Sequence, residues 1–190
     1  MPRIEPIPWE DLTPEQRAFM DDGGETGAYT MTVPLQILAY RDHAEVPDDG
    51  DRHPNFPTHL LGGRLLELLR IRSGQLGGCE PCMGSRKEGT ITEDDVACLI
   101  DLDPANFTTR EYRALRFFEM FANDHHSIDD DTFRWLAEVF SAAEIVEILY
   151  ACSQNLGGHR MMHALGVLEP TDPILTYSPA AVDAAAATTV

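Results

Sequence analysis

Apolar residues recur along this chain at intervals of three and four, separated by capping residues and glycines, and nowhere do they alternate over the length of a strand. The pattern predicts helices. Thr13-Pro14-Glu15-Gln16 supplies an N-cap, a proline at the first helical position and an acidic first turn, so a short helix is predicted to about Asp21, with Asp22-Gly23-Gly24 as its stop. Residues 30–42, around Pro34-Leu35-Gln36-Ile37-Leu38, predict a second helix, and residues 45–57, rich in proline and acid, a loop flanked by His43, His53 and His59. Thr58 then caps a leucine-rich helix that carries Glu67 and runs to about Gln75, before Gly77-Gly78. A helix bearing Cys79 and Cys82 is predicted next, to about Lys87.

Thr92-Glu93-Asp94-Asp95 starts a further helix with Val96, Leu99 and Ile100 on its apolar side, and Cys98 reads as a small core residue. Thr108 or Thr109 opens another to about Ala122, in which Tyr112, Leu115, Phe118 and Met120-Phe121 form a core face; His125-His126 falls in the turn behind it. Asp129 to Thr132 leads into an amphipathic helix from Phe133 to Phe140. Ser141 caps a segment from Ala142 to Asn155, which Gly157-Gly158 divides from His159 to Leu165. The predicted fold is all-α, a single-domain helical bundle of about eight helices. It divides into an N-terminal helical lead and loop (1–54), a helical core (55–170) and a Pro/Ala/Thr-rich tail (171–190).

Composition fits one globular domain: 190 residues, 43% of them hydrophobic. Charge narrows the partners. With 14 basic against 32 acidic residues, the net charge of −18 repels phosphate backbones and anionic headgroups, which argues against nucleic acid and membrane partners. No apolar leader follows Met1-Pro2-Arg3-Ile4-Glu5, and no run approaches the roughly 20 apolar residues of a spanning helix, so the expected location is cytoplasmic. In that compartment a cysteine pair is more often catalytic or metal-binding than structural.

Cys79-Glu80-Pro81-Cys82 puts two sulfurs on one face of a first helical turn, within disulfide reach of each other. A helix start favours a thiolate, lowering a cysteine from about 8.5 into the range of roughly 3.5 to 7.5, so one sulfur can serve as nucleophile and the other can resolve what it captures. Arg86, four residues after Cys82, either shares the cysteine face of a continuing helix and adds positive charge there, or is solvated. Glu67 sits within Leu65-Leu66-Glu67-Leu68-Leu69. It is either a desolvated proton acceptor or a partner of Arg64 or Arg70 on an exposed stripe. His159 and His163 share a helical face at metal-ligand spacing, but they lie far beyond the dozen or so residues that separate the ligand pairs of a zinc finger, so no metal is expected. The acidic clusters lack the glycine and glutamate of a calcium loop, and nothing signals a flavin, a haem or another cofactor.

Glu67, eleven intervening residues, Cys79, two more and Cys82 together resemble the signature of the carboxymuconolactone decarboxylase superfamily, in particular its alkylhydroperoxidase D-like branch. The resemblance spans roughly residues 55 to 167. It implies a cofactor-free thiol peroxidase that reduces hydrogen or alkyl peroxides and assembles as a homotrimer or homohexamer of helical subunits. Cys82 would attack the peroxide and become a sulfenic acid, Cys79 would condense with it to a disulfide, and a thiol reductant would close the cycle. Glu67 would hold or accept the proton. Where the family pattern has a histidine, this chain has Arg86, which can stabilise a thiolate but stays charged and cannot shuttle protons. His159 or His163 is expected to replace that histidine as proton donor if the last helix crosses the cysteine helix. Two other readings follow: a non-redox decarboxylase or lactone-type enzyme of the same superfamily, whose members typically lack the cysteine pair, and a non-catalytic, redox-responsive oligomer.

Overall fold

A computed structural model describes residues 2–25, 31–43, 60–166 and 175–176. Five of the described helix starts are fixed locally, by side chains that reach the backbone three residues away. Thr13 and Gln16 satisfy each other's N–H groups at the start of α1 (Pro14–Glu25). The same reciprocal cap is made by Thr92 and Asp95 for α6 (Glu93–Cys98), Thr108 and Glu111 for α7 (Thr109–Asn123), Asp129 and Thr132 for α8 (Asp130–Ala137), and Ser141 and Glu144 for α9 (Ala142–Leu165). The starts of α1, α6, α7 and α9 fall where the sequence places them, whereas α8 begins and ends three residues before the predicted Phe133–Phe140.

Helix ends and breaks differ more. α1 continues through Gly23-Gly24 to Glu25, and the second predicted helix is divided at Ala39 into α2 (Val33–Leu38) and the single turn α3 (Tyr40–His43). The leucine-rich helix α4 (Gly63–Gly77) starts from Gly62. The Thr58 cap proposed for it lies outside the described residues, as do the 45–57 loop with His53, His59, and all of the 171–190 tail except a two-residue strand. The cysteine helix α5 (Glu80–Met83) is one turn and stops short of Lys87. Beyond Gly84 the chain is extended as β1 (Ser85–Arg86), which pairs in parallel with β2 (Leu175–Thr176). α9 runs unbroken through Gly157-Gly158, where two helices were expected. A glycine in a helix costs about 1 kcal/mol, and burial of Asn155 before the pair and of His159 after it, the latter hydrogen-bonded to Ser73, favours carrying the helix across both.

The fold is an all-α, single-domain bundle with α4 at its centre. Every residue of α4 from Leu65 to Gly74 is buried, enclosed mainly by α9, with α5 and α7 on its other sides. Leu66, Leu68, Leu69 and Ile71 meet Leu115, Phe117 and Phe118 of α7, Leu136 of α8 and Ile148 of α9 in one core. Phe117 packs edge-on against Phe133, with ring centroids 6.2 Å apart. A smaller cluster of Ile7, Leu12, Met20 and Ala39 ties the N-terminal lead to α1 and to the junction of α2 and α3. No helix among the described residues is long and apolar enough to cross a membrane.

Core and cap should separate cleanly in mutagenesis. Thr108→Ala removes one side-chain cap and should cost about 1 kcal/mol, whereas Phe117→Ala empties a fully buried ring site and should cost about 3 to 5 kcal/mol. Urea unfolding measures both, and a smaller loss for Phe117→Ala would contradict the core described here.

Candidate functional site

α4 is buried all round, yet Glu67, Arg70, Ser73 or Gly74, and Gly77 recur along it at helical spacing as a polar and small-residue stripe. Charges in such a position must find partners within the protein. Arg70 donates from Nε to Glu67 Oε2 at 2.6 Å and from Nη2 to Glu67 Oε1 at 2.8 Å, a bidentate pair in which Glu67 is fully buried and Arg70 is 3% exposed. Of the two arginines that could pair with Glu67, Arg70 does so, in the interior and not on an exposed stripe. Arg64 turns away to Asp95 at 2.7 Å and Glu111 at 2.8 Å. That pairing pulls Asp95 down to about 2, its hydrogen bond to Arg64 being the main cause. The Lys87 N–H also donates to Glu67 Oε1, at 2.6 Å. Glu67 is therefore desolvated, as a proton acceptor would be, but both its oxygens are engaged.

The cysteines are set against this stripe by two glycines. Gly78 ends α4 with a φ of +64°, which a side chain would strain, and the turn lets the Cys79 N–H donate to the Gly74 carbonyl at 3.0 Å. At Gly74 itself, a Cβ would lie 3.3 Å from the Cys82 Cβ and from the Met83 Cγ, so a glycine allows α5 to rest directly on α4. Cys79 and Cys82 are joined as a disulfide with their Cα atoms 5.2 Å apart. Cys79 is completely buried and Cys82 only half-buried, which leaves Cys82 the more exposed residue of the pair.

Two arginines supply donors to the carbonyls at the end of α5. Arg70 donates from Nη1 to the Cys82 carbonyl and from Nη2 to the Ser85 carbonyl, both at 2.6 Å. Arg86 donates to the Met83 and Ser85 carbonyls and forms a bidentate pair with Glu93 at 3.0 and 2.7 Å. Arg86 is thus not on a helical face with the cysteines. Because α5 breaks at Gly84, its guanidinium is committed to Glu93 and the backbone, not to a sulfur.

α9 delivers the histidine. It runs parallel to α4: Glu147 Oε2 accepts from the Leu60 N–H at 2.9 Å near one end, and His159 Nδ1 shares a 2.9 Å hydrogen bond with Ser73 Oγ near the other. His159 is buried, and its Cβ would lie 3.3 Å from a Cβ at Gly77, so that glycine makes room for it. Burial pushes the His159 imidazole below its ordinary value, Arg70's charge adds to the shift, and a Ser73 backbone hydrogen bond opposes it. His163 is exposed. Asn155, one turn before His159, is also buried. Cys152 has its thiol pushed well up by burial, and Cys98 packs against the core.

Structure therefore brings Glu67, Cys79, Cys82 and His159 onto α4 and its immediate neighbours, and leaves Arg86 and His163 outside that group. Sequence reasoning missed Ser73, Asn155 and the anchoring part played by Arg70. The recurrence of 67, 70, 73 and 77 on one helical face was the available signal. Among the described residues, no group of three or more histidine, cysteine or acidic side chains could hold a metal ion. No family model matches the chain, and no curated protein or solved structure matches it either. The likeness to the alkylhydroperoxidase D-like branch rests on Glu67, Cys79, Cys82 and their spacing.

Two outcomes follow from this geometry. In the reduced, folded protein, a small alkylating agent should modify Cys82 before Cys79, as read by timed quenching and peptide mass analysis; the reverse order would contradict the burial of Cys79. The folded His159 imidazole lies below the roughly 6.5 of an unfolded chain, so the unfolded chain binds more protons and stability falls as pH drops below about 6.5. Urea midpoints at about pH 7.5 and about pH 5.5 should differ more in the native protein than in His159→Gln, and equal differences would remove His159 from this account.

Proposed function

We propose that the chain is a thiol-dependent peroxidase of the alkylhydroperoxidase D-like kind, acting on hydrogen or alkyl peroxides through Cys79 and Cys82. The observation that carries this reading is a cysteine pair at disulfide separation, one residue buried and the other half-buried, packed on α4 where Ser73 of that helix meets the buried His159 of α9. Accessibility favours Cys82 as the attacking sulfur, the same assignment that the resemblance implies.

The Cys82 thiolate attacks one peroxide oxygen, the O–O bond breaks, and Cys82 becomes a sulfenic acid while the departing alkoxide or hydroxide takes up a proton. Cys79 then attacks the sulfenic sulfur, forming the disulfide and releasing hydroxide, which is protonated to water. An external dithiol returns two electrons and two protons, meeting Cys82 first because Cys79 is covered. His159 is the group suited to move the proton. Kept neutral by burial, it can take a proton from a thiol and give it to the leaving oxygen, a task closed to Arg86 and to the fully engaged Glu67. Met161 and Leu165 are 57% and 63% exposed and share one face of α9, a surface that fits the self-association implied by the resemblance.

The reduced protein exposed briefly to one equivalent of an alkyl peroxide should acquire the Cys79–Cys82 disulfide, with a sulfenic acid trapped at Cys82 in Cys79→Ser. His159→Gln should slow this oxidation by about a hundredfold, the scale of a general acid–base contribution. Peptide mass analysis reads both. Thiols that oxidise no faster than free cysteine would end the peroxidase reading and favour a protein that senses redox state without turnover, and turnover of a lactone or cyclic acid in a protein lacking both cysteines would favour the non-redox one.

A further inference from the structure

The members of the Glu67–Arg70 pair hold both sides of the segment that follows Cys82. Arg70 donates to the Cys82 and Ser85 carbonyls at 2.6 Å each, and Glu67 accepts from the Lys87 N–H at 2.6 Å. α5 needs that support. A single helical turn has no stability of its own, and α5 is closed only by Met83 N–H donating to the Cys79 carbonyl and Gly84 N–H to the Glu80 carbonyl. Cys79 has its own hold on α4 through the Gly74 carbonyl. The backbone of Cys82 is held to α4 by a side-chain hydrogen bond from Arg70.

We propose that Arg70 is a positioning residue that sets the redox poise of the Cys79–Cys82 couple, by holding the Cys82 backbone at disulfide separation whether the sulfurs are joined or reduced. The inference rests on the thiol-redox reading of the site. Reduction by dithiothreitol places two electrons and two protons on the two cysteines, while dithiothreitol closes to its cyclic disulfide. A dithiol held with its Cα atoms near 5.2 Å gains little freedom when the S–S bond opens, so the oxidised form is favoured. Freeing the Cys82 backbone opens conformations that only the dithiol can enter, and the equilibrium moves toward reduction.

The experiment is an equilibrium titration of the protein in reduced and oxidised dithiothreitol, with thiols trapped and counted by mass. Arg70→Lys keeps the charge opposite Glu67, but a single ammonium cannot serve two carboxylate oxygens and two carbonyls in the same geometry. The oxidation constant is expected to fall about tenfold, a rise of about 30 mV for this two-electron couple. Arg64→Lys, whose partners are Asp95 and Glu111, should leave it unchanged. Removing one member of a buried pair can unfold a chain, so the charge-free double variant Glu67→Gln with Arg70→Met supplies a second measurement, expected to move in the same direction. A native oxidation constant in either folded variant overturns the proposal. No peroxide enters this titration: a protein inert to peroxide whose potential still shifts in Arg70→Lys supports the assignment while ending the peroxidase reading, and a peroxide-reactive protein with an unshifted potential does the opposite.

Discussion

A helix enclosed on every side cannot carry an unpaired charge, and α4 carries four in the stretch from Arg64 to Arg72. Each is matched. Arg64 meets the acids that cap α6 and α7, Arg72 meets Glu119 of α7, and Glu67 and Arg70 meet each other. These pairs join the centre of the bundle to the elements around it, so the places where neighbouring helices begin are tied to the charges of the central one. Removing one member of the Glu67–Arg70 pair would leave a buried charge, a cost on the scale of 3 to 5 kcal/mol.

The same constraint builds the site. Once Arg70 has engaged both oxygens of Glu67, its remaining N–H groups still need acceptors, and the carbonyls left over at the end of a one-turn helix need donors. Bringing the two together holds the cysteine segment to α4. Glycine at 74 and 77 removes the side chains that would keep Cys82 and His159 away from that helix. A central helix with one polar, small-residue face thus receives a cysteine pair along one part of its length and a buried histidine on another.

The site was only partly legible in the sequence. Glu67, Cys79 and Cys82 stand out by residue type and spacing, and a partner for Glu67 three residues away was foreseeable because Glu67 and Arg70 share a helical face. That the pair is interior was not foreseeable, since the same spacing occurs on solvated helices. Arg86 illustrates the opposite case: on paper it continues the cysteine helix, but the break at Gly84 turns it toward Glu93. His159 and His163 are equivalent in sequence, four residues apart on one helix. Only the packing of α9 along α4 buries the first against Ser73 and leaves the second in solvent.

What the sequence determined by itself is local: the all-α class, the helix starts closed by side chains three residues from their targets, and the proximity of Cys79 to Cys82. The hydrogen bonds of those caps close within one helical turn, so they can form before the helices pack. Tertiary structure decided the remainder: that α9 continues through two glycines, that Arg64 and Arg70 choose different acids, and that burial lowers the His159 imidazole from its ordinary value. Each of these depends on which surface is withdrawn from water and which charge lies across the interface, and neither quantity is set until the helices have packed.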